Sequence, residues 1–119
     1  MTLQECYAAI GGDYEDVEAR MMGAARVQKF LLRFLSDTSY EFLIDSLAAK
    51  NYEEAFRAAH TLKGVCQNLG ITRLGNSAHD LTEALRDTPA APDGTLIQKV
   101  TEDYKITAAA IHEFQEGLE

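Results

Sequence analysis

The sequence lacks most of the features that mark secreted and membrane proteins. It has only two cysteines, Cys6 and Cys66, which are too few for a disulfide framework. No apolar run approaches the roughly 18–20 residues that are needed to span a bilayer. The first residues contain neither the basic region nor the apolar core of a secretory signal. We therefore expect a cytoplasmic protein with reduced thiols.

Positive charge is also scarce, because 11 lysines and arginines stand against 19 acidic residues and give a net charge of -8. This balance argues against a nucleic-acid partner, since such binding depends mostly on neutralising phosphates. It also disfavours binding to an anionic membrane surface. The glycine-rich patterns that cradle nucleotide phosphates are missing as well. We therefore expect no nucleic-acid, membrane or nucleotide binding.

Signals for the starts and ends of helices, by contrast, recur along the whole chain. Thr2 and Thr38 each have a glutamate three residues later, which is the pattern of a capping box. Asn51 is placed to cap a long helix, and Gly70 is placed to end it. The predicted helices are residues 2–11, 13–23, 24–35, 38–48, 51–70, 72–86 and 95–115. The break at residues 36–37 either separates two helices or is a kink within one.

The fold class follows from the length and from the apolar spacing. The chain has 119 residues, of which 46% are hydrophobic, enough for one domain with one core. Apolar residues recur at helical spacing in the segments after residue 23. We predict an all-α protein in which residues 23–119 form an antiparallel four-helix bundle. Residues 1–22 are predicted to add a short N-terminal helical segment. The apolar residues Leu32 and Leu35 are either covered by that segment or part of a docking surface.

The most informative residues are His60, Lys63, Gly64 and Gln67 in the long helix. Residues three and four apart lie on one helical face, so these four share a strip of surface. His60 lies about 120° from the centre of the apolar stripe, at about 100° per residue, and is expected to face solvent. Glycine inside a helix costs about 1 kcal/mol relative to alanine. A functional reason for Gly64 is that it leaves room for a partner beside the imidazole.

This strip suits phosphoryl transfer. An imidazole has a reference pKa of about 6.5, so much of it is neutral and nucleophilic near pH 7. A ring nitrogen can hold a phosphoryl group as a phosphoramidate, and Lys63 can supply part of the counter-charge. Since the chain has no nucleotide motif, we expect the phosphoryl donor to be another protein, which would also bring any Mg²⁺. We expect no cofactor on this chain.

The pattern around His60 resembles the histidine-containing phosphotransfer (HPt) domain family. The resemblance covers residues 58–86 most specifically, and the helical layout extends it to about Ala24. The residues that carry it are Ala59-His60-Thr61-Leu62-Lys63-Gly64, Asn68-Leu69-Gly70, Leu74 and Leu81. Members of this family are four-helix-bundle domains that relay phosphoryl groups in multistep two-component signalling.

The resemblance implies a role for each residue of the strip. His60 is the expected phospho-acceptor, Lys63 steadies the phosphoryl group and Gly64 keeps the site open. Gln67 is either a further hydrogen-bond donor at the site or a polar surface residue. Thr82 is the expected neighbour of the imidazole after the chain turns at Gly70. Several relatives have Gln or Glu near that position, and threonine is shorter.

The histidines and Cys66 also have simpler interpretations. A solvent-facing histidine is usually only a surface residue, and we interpret His79 and His112 in that way. Neither has a lysine and a glycine at the following turn. A di-iron centre in a helical bundle uses Glu-x-x-His, and none of the three histidines has a glutamate three residues before it. We therefore expect no metal site, and Cys66 falls on the core stripe.

The leading hypothesis is a phosphorelay carrier, in which a receiver aspartate passes its phosphoryl group to His60 and a second receiver takes it away. The expected partners are response-regulator receiver domains, a hybrid histidine kinase, or both. Such a chain is a phosphotransfer intermediate without nucleotide-dependent kinase activity of its own. Because it starts at Met1 and ends at Glu119, we expect a standalone carrier and not a part of a hybrid kinase. We also expect a monomer. The alternative hypothesis is a helical module that binds and modulates a receiver without being phosphorylated.

Overall fold

A computed structural model describes residues 1–87 and 90–118, and within these residues every regular element is helical. The all-α prediction is therefore confirmed. No helix in the described residues is long and apolar enough to cross a membrane. A short 3-10 helix, Phe34–Ser36, follows the third α-helix. The α-helices are α1 (Leu3–Ile10), α2 (Tyr14–Met21), α3 (Ala24–Arg33), α4 (Ser39–Ala48), α5 (Tyr52–Leu69), α6 (Thr72–Leu85) and α7 (Gly94–Glu116).

The ends of α1 and α5 are formed by the local signals that the sequence predicts. Thr2 and Glu5 make both hydrogen bonds of a capping box at the start of α1. The side chain of Asn51 accepts a hydrogen bond from the backbone N–H of Glu54 at 3.2 Å. Gly70 ends α5 in a left-handed conformation with φ of 68°, which glycine adopts without steric cost.

The predicted capping box at Thr38 is wrong, because its side chain makes no capping hydrogen bond. The carboxylate of Asp37 instead accepts from the backbone N–H of Ser39 at 3.0 Å. The backbone at Asp37 is extended, with ψ of 135°, so the chain breaks between α3 and α4 and does not merely kink. Aspartate commonly accepts a hydrogen bond from the backbone N–H two residues later, and Asp37 does so here at the first residue of α4.

Helix α2 ends at Met21, two residues before the predicted end at residue 23. Met22 takes the left-handed position, with φ of 62°, and its side chain is 83% exposed. Gly23 follows with φ of 133° and ψ of 155°, a conformation that is essentially restricted to glycine. The turn between α2 and α3 thus needs two residues with positive φ, and glycine occupies the more demanding one.

Helix α4 faces the core through one leucine and two serines. Phe42 is 61% exposed, and Ala48 is exposed as well. The buried residues are Ser39, Leu43 and Ser46, which lie four and three positions apart on one face. The inward face of α4 is therefore only partly apolar, because two of its three buried residues are serines.

Helix α5 lies between two neighbours and packs along its length on α4 and α6, while α6 packs on α7 and α7 on α1. The apolar stripe of α5 is mostly buried, although Tyr52 and Phe56 are only half-buried. Buried residues of α6 are Leu74, Ala78, Leu81 and Leu85. The half-buried side chains of Leu32 and Leu35 pack against this core. Burial of one stripe leaves the opposite face of α5 in solvent.

The N-terminal helices cap the C-terminal end of α5. The hydroxyl of buried Tyr7 donates to the carbonyl oxygen of Leu69 at 2.7 Å. The guanidinium of Arg20 donates to the carbonyl oxygens of Gln67 and Asn68 at 3.2 and 3.3 Å. The last carbonyls of a helix have no partner within the helix, so side chains from elsewhere must satisfy them. Residues of α1 and α2 supply these partners and also contribute to the same core.

The hydrogen bond from Tyr7 should contribute measurably to the free energy of unfolding. In Tyr7→Phe the carbonyl of Leu69 loses its buried donor, so we expect a free energy of unfolding lower by about 1–3 kcal/mol. The hydroxyl of Tyr52 makes no hydrogen bond within the described residues, so Tyr52→Phe is a matched control that should change stability by less than about 0.5 kcal/mol. Urea unfolding followed by circular dichroism measures both. Equal effects of the two substitutions would contradict the capping role.

Candidate functional site

His60 projects from the outward face of α5 and is exposed. Its imidazole stacks on the ring of Phe56, with the ring centroids 6.1 Å apart and the planes only 5° from parallel. The separation falls in the range in which offset aromatic stacking is favourable. Phe56 lies four residues before His60, one helical turn away, so the contact is a local one within α5. The imidazole is therefore supported on one face and open to solvent elsewhere.

Lys63 and Gly64 lie one turn beyond His60 on the same face of α5. Lys63 is half-buried, which fits a side chain whose methylenes rest on apolar surface while its ammonium reaches outward. A Cβ atom built on Gly64 would meet no other atom within 4 Å. The absence of a side chain there does not serve packing, because the space beside Gly64 is open solvent. Gln67 is exposed one turn further along.

Thr82 lies in the core and not in this exposed strip. Its side chain is completely buried, and its hydroxyl donates to the carbonyl oxygen of Ala78 at 2.6 Å within α6. That bond uses the only proton of the hydroxyl, so Thr82 has only acceptor capacity left for another group. The helical turn at Gly70 thus brings α6 alongside α5, but the threonine points between the helices.

Three residues near the strip were not predicted as site residues: Phe56, Glu83 and Arg86. The guanidinium carbon of Arg86 lies 5.1 Å from the centroid of the Phe56 ring, within cation–π distance. Arg86 also forms an ion pair with Glu83 at 2.9 Å. The stack therefore runs from Arg86 through Phe56 to His60. Phe56 could have been found from its spacing to His60, whereas Arg86 reaches the site only because α6 packs on α5.

Charges on α6 act on the same region. The hydrogen bond from Arg86 lowers the pKa of the Glu83 carboxyl, and the charges of His79 and Lys63 lower it further. The carboxylate in turn raises the pKa of Arg86. Glu83 is therefore an ionised group close enough to Lys63 to feel its charge. Its negative charge opposes an incoming phosphoryl group, and Arg86 offsets that effect.

The remaining nucleophilic side chains are poorly placed for chemistry. Cys66 is fully buried, and burial raises the pKa of its thiol to about 12. Burial raises the pKa of the Cys6 thiol to about 11. Both thiols are therefore neutral near pH 7 and inaccessible. Within residues 1–87 and 90–118, no cluster of three or more histidine, cysteine, aspartate or glutamate side chains could hold a metal ion.

The chain matches one family of known proteins. The sequence model of the family described as the Hpt domain matches residues 35–117, which is well over half of the chain. The chain therefore belongs to the Hpt domain family, whose members act in phosphotransfer in two-component signalling and interact with receiver domains and histidine kinases. Comparison with curated proteins and comparison with solved structures each give no match. The matched range includes α4 to α7 and begins after α1, α2 and α3.

The stacking of His60 on Phe56 can be tested by NMR. In Phe56→Leu we expect the carbon-bound imidazole protons of His60 to lose the ring-current shift of a neighbouring aromatic ring. We also expect the χ1 couplings of His60 to move toward rotamer averaging, since one face of the imidazole loses its support. Phe42→Leu is the control, because the Phe42 ring forms no aromatic pair with His60 among the described residues. Unchanged imidazole shifts in Phe56→Leu would contradict the stack.

Proposed function

We propose that this member of the Hpt domain family is a phosphorelay carrier that holds the phosphoryl group on His60. It accepts the group from the aspartate of one response-regulator receiver domain and passes it to the aspartate of another. The observation that carries the proposal is the exposed imidazole of His60, with Lys63 and the open surface of Gly64 one turn away. A macromolecular donor needs such access, because two folded surfaces must bring the aspartyl phosphate to the imidazole.

The transfer is a displacement at phosphorus. A lone pair on a ring nitrogen of neutral His60 attacks the phosphorus of the aspartyl phosphate, so a P–N bond forms as the P–O bond to the aspartate breaks. The carboxylate leaves with the electron pair, and the other ring nitrogen keeps its proton. In the second half, the carboxylate of the next receiver attacks the same phosphorus and the neutral imidazole leaves. Any Mg²⁺ is expected on the receiver.

The protein contributes positioning and charge, which dominate phosphoryl transfer. Lys63 offers a cation on the same strip, and its half-buried stem limits where the ammonium can move. Gln67 is the proposed further hydrogen-bond donor, because it lies exposed on the next turn. Thr82 stays a predicted neighbour of the imidazole, with a hydroxyl that is already bonded to Ala78.

We further infer that residues 23–119 form an antiparallel four-helix bundle and that residues 1–22 are an added segment. Support comes from the two-residue connection of Gly70 and Ile71, after which α6 packs along α5. Connections of about two to five residues are typical of an antiparallel helical hairpin. The monomeric state and the cytoplasmic location stay predictions from the sequence.

The carrier function is tested by following a labelled phosphoryl group from a phosphorylated receiver domain to this chain. We expect the wild type to gain an acid-labile phosphate and His60→Gln to gain none, because an amide cannot form the phosphoramidate. His79→Gln is the control and should be labelled like the wild type. A folded wild type that binds the receiver and never becomes labelled would instead support a non-phosphorylated interaction module.

Two substitutions at Gly64 separate the helix stability that glycine costs from the proposed role of Gly64 in leaving room for the receiver. Since a Cβ atom there meets nothing within 4 Å, Gly64→Ala should raise the free energy of unfolding by about 1 kcal/mol through helix propensity. Gly64→Gln should also stay folded but slow the transfer at least tenfold, because its side chain fills the approach to His60. Stability is measured in urea and transfer by the labelling assay. Equal transfer rates in the wild type and both variants would refute the clearance role.

A further inference from the structure

Positive charge is concentrated in one short part of this acidic chain. Residues 19–36 contain four basic residues and no acidic one, although the net charge of the whole chain is -8. Arg20 forms an ion pair with Asp16 and donates hydrogen bonds to carbonyl oxygens at the end of α5. The other three, Arg26, Lys29 and Arg33, lie on α3 at spacings of three and four residues, so they share one helical face.

The side chains of Arg26, Lys29 and Arg33 form a basic face of α3 that is exposed to solvent. None of its three side chains forms a salt bridge with any residue in the described parts of the chain. Two of them lie over the half-buried ring of Phe30. The side-chain nitrogen of Lys29 is 6.0 Å from the ring centroid, and the guanidinium carbon of Arg33 is 5.0 Å from it. The face thus combines unpaired cations with an aromatic surface.

A cleft of about 440 Å³ joins this face to the helix that carries His60. Its lining includes Phe30 and Arg33 from α3 and Val65 and Asn68 from α5, with one carboxylate, Asp37, and a second cation, Arg20. On α5, His60, Gly64 and Asn68 follow one another at intervals of four residues, and each interval turns the surface by only about 40°. His60 and Asn68 are about 12 Å apart along the helix axis, at 1.5 Å per residue. The exposed strip at His60 therefore continues into the cleft.

We propose that the basic face of α3 and the α3–α5 cleft form a second part of the surface that docks the receiver domain. Acidic side chains of the receiver contact Arg26, Lys29 and Arg33, and an apolar side chain enters the cleft beside Phe30. The inference rests on the proposed carrier function. Its support is charge complementarity and continuity, because the receiver brings an anionic aspartyl phosphate to His60 and the rest of this chain is acidic. The positive charge of these three residues therefore favours the approach of the receiver domain from the side of α3.

Charge reversal on α3 tests the docking surface. In the triple variant R26E/K29E/R33E we expect the second-order rate of transfer from a phosphorylated receiver to fall at least tenfold at low ionic strength. The difference should shrink in 0.5 M salt, because exposed charges are screened beyond a few ångströms there. The first-order rate within the saturated complex should stay within twofold of the wild type, since His60 and Lys63 are untouched.

A matched pair of single variants controls for the change in net charge. K29E and K105E each replace an exposed helical lysine that makes no salt bridge within the described residues. K29E should slow association severalfold, whereas K105E on α7 should leave it close to the wild-type rate. Equal effects of the two would mean that only net charge matters and would overturn the proposal. Circular dichroism of each variant checks that the fold is retained.

The outcomes also separate this proposal from the carrier function. A triple variant that is labelled on His60 at the wild-type second-order rate would overturn the docking surface and leave the carrier intact. A wild type that is never labelled would overturn the carrier itself. Sedimentation tests whether a second copy of the chain occupies this face. If the wild type is a dimer and the triple variant is a monomer, the face binds a second copy, and the assignment to the receiver is overturned.

Discussion

Burial of a single apolar stripe of α5 is the contact on which the rest of the structure depends. The stripe holds α5 between α4 and α6, and its fully buried members include Ala59, Leu62 and Cys66. A helix that is fixed in rotation by one buried stripe must expose the opposite face in a defined way. The orientation of His60 toward solvent is therefore a consequence of core packing, with no need for a dedicated contact to aim it.

The same packing explains why the site has components from two helices. Contact of α6 with α5 brings Arg86 over the ring of Phe56, whose other neighbour is the imidazole of His60. It also brings the ionised Glu83 close to Lys63. The charge around a phosphoryl group at this site would thus be a balance between two cations and one carboxylate. Changes in the packing of α6 would therefore alter this balance of charge without any substitution in α5.

The N-terminal helices stabilise the opposite end of α5. Tyr7 and Arg20 satisfy carbonyl oxygens that a helix end otherwise leaves to water, although both residues lie outside the range that matches the family. Their segment also leads directly into α3 with its basic face. The part of the chain that the family does not define therefore contributes both to the stability of α5 and to the charge near the cleft.

Much of the fold and part of the candidate site could be predicted from the sequence, because they depend on local rules. Helix α5 begins at Asn51 and ends at Gly70 as their capping preferences require, and the spacing of His60, Lys63 and Gly64 puts them on one strip. The break before α4 was harder to assign, because Asp37 and Thr38 compete for the same cap and only their relative geometry decides it.

By itself the sequence determined the helical class, the exposed strip on α5 and the acidic net charge, since each depends on residue types and short spacings. Only the tertiary structure decided which residues from other helices reach that strip. Thr82 is buried against its own helix while Arg86, four residues later, extends to Phe56. Which of two neighbouring side chains bridges a pair of helices depends on their rotation and separation, and these are set by the packing of the whole core.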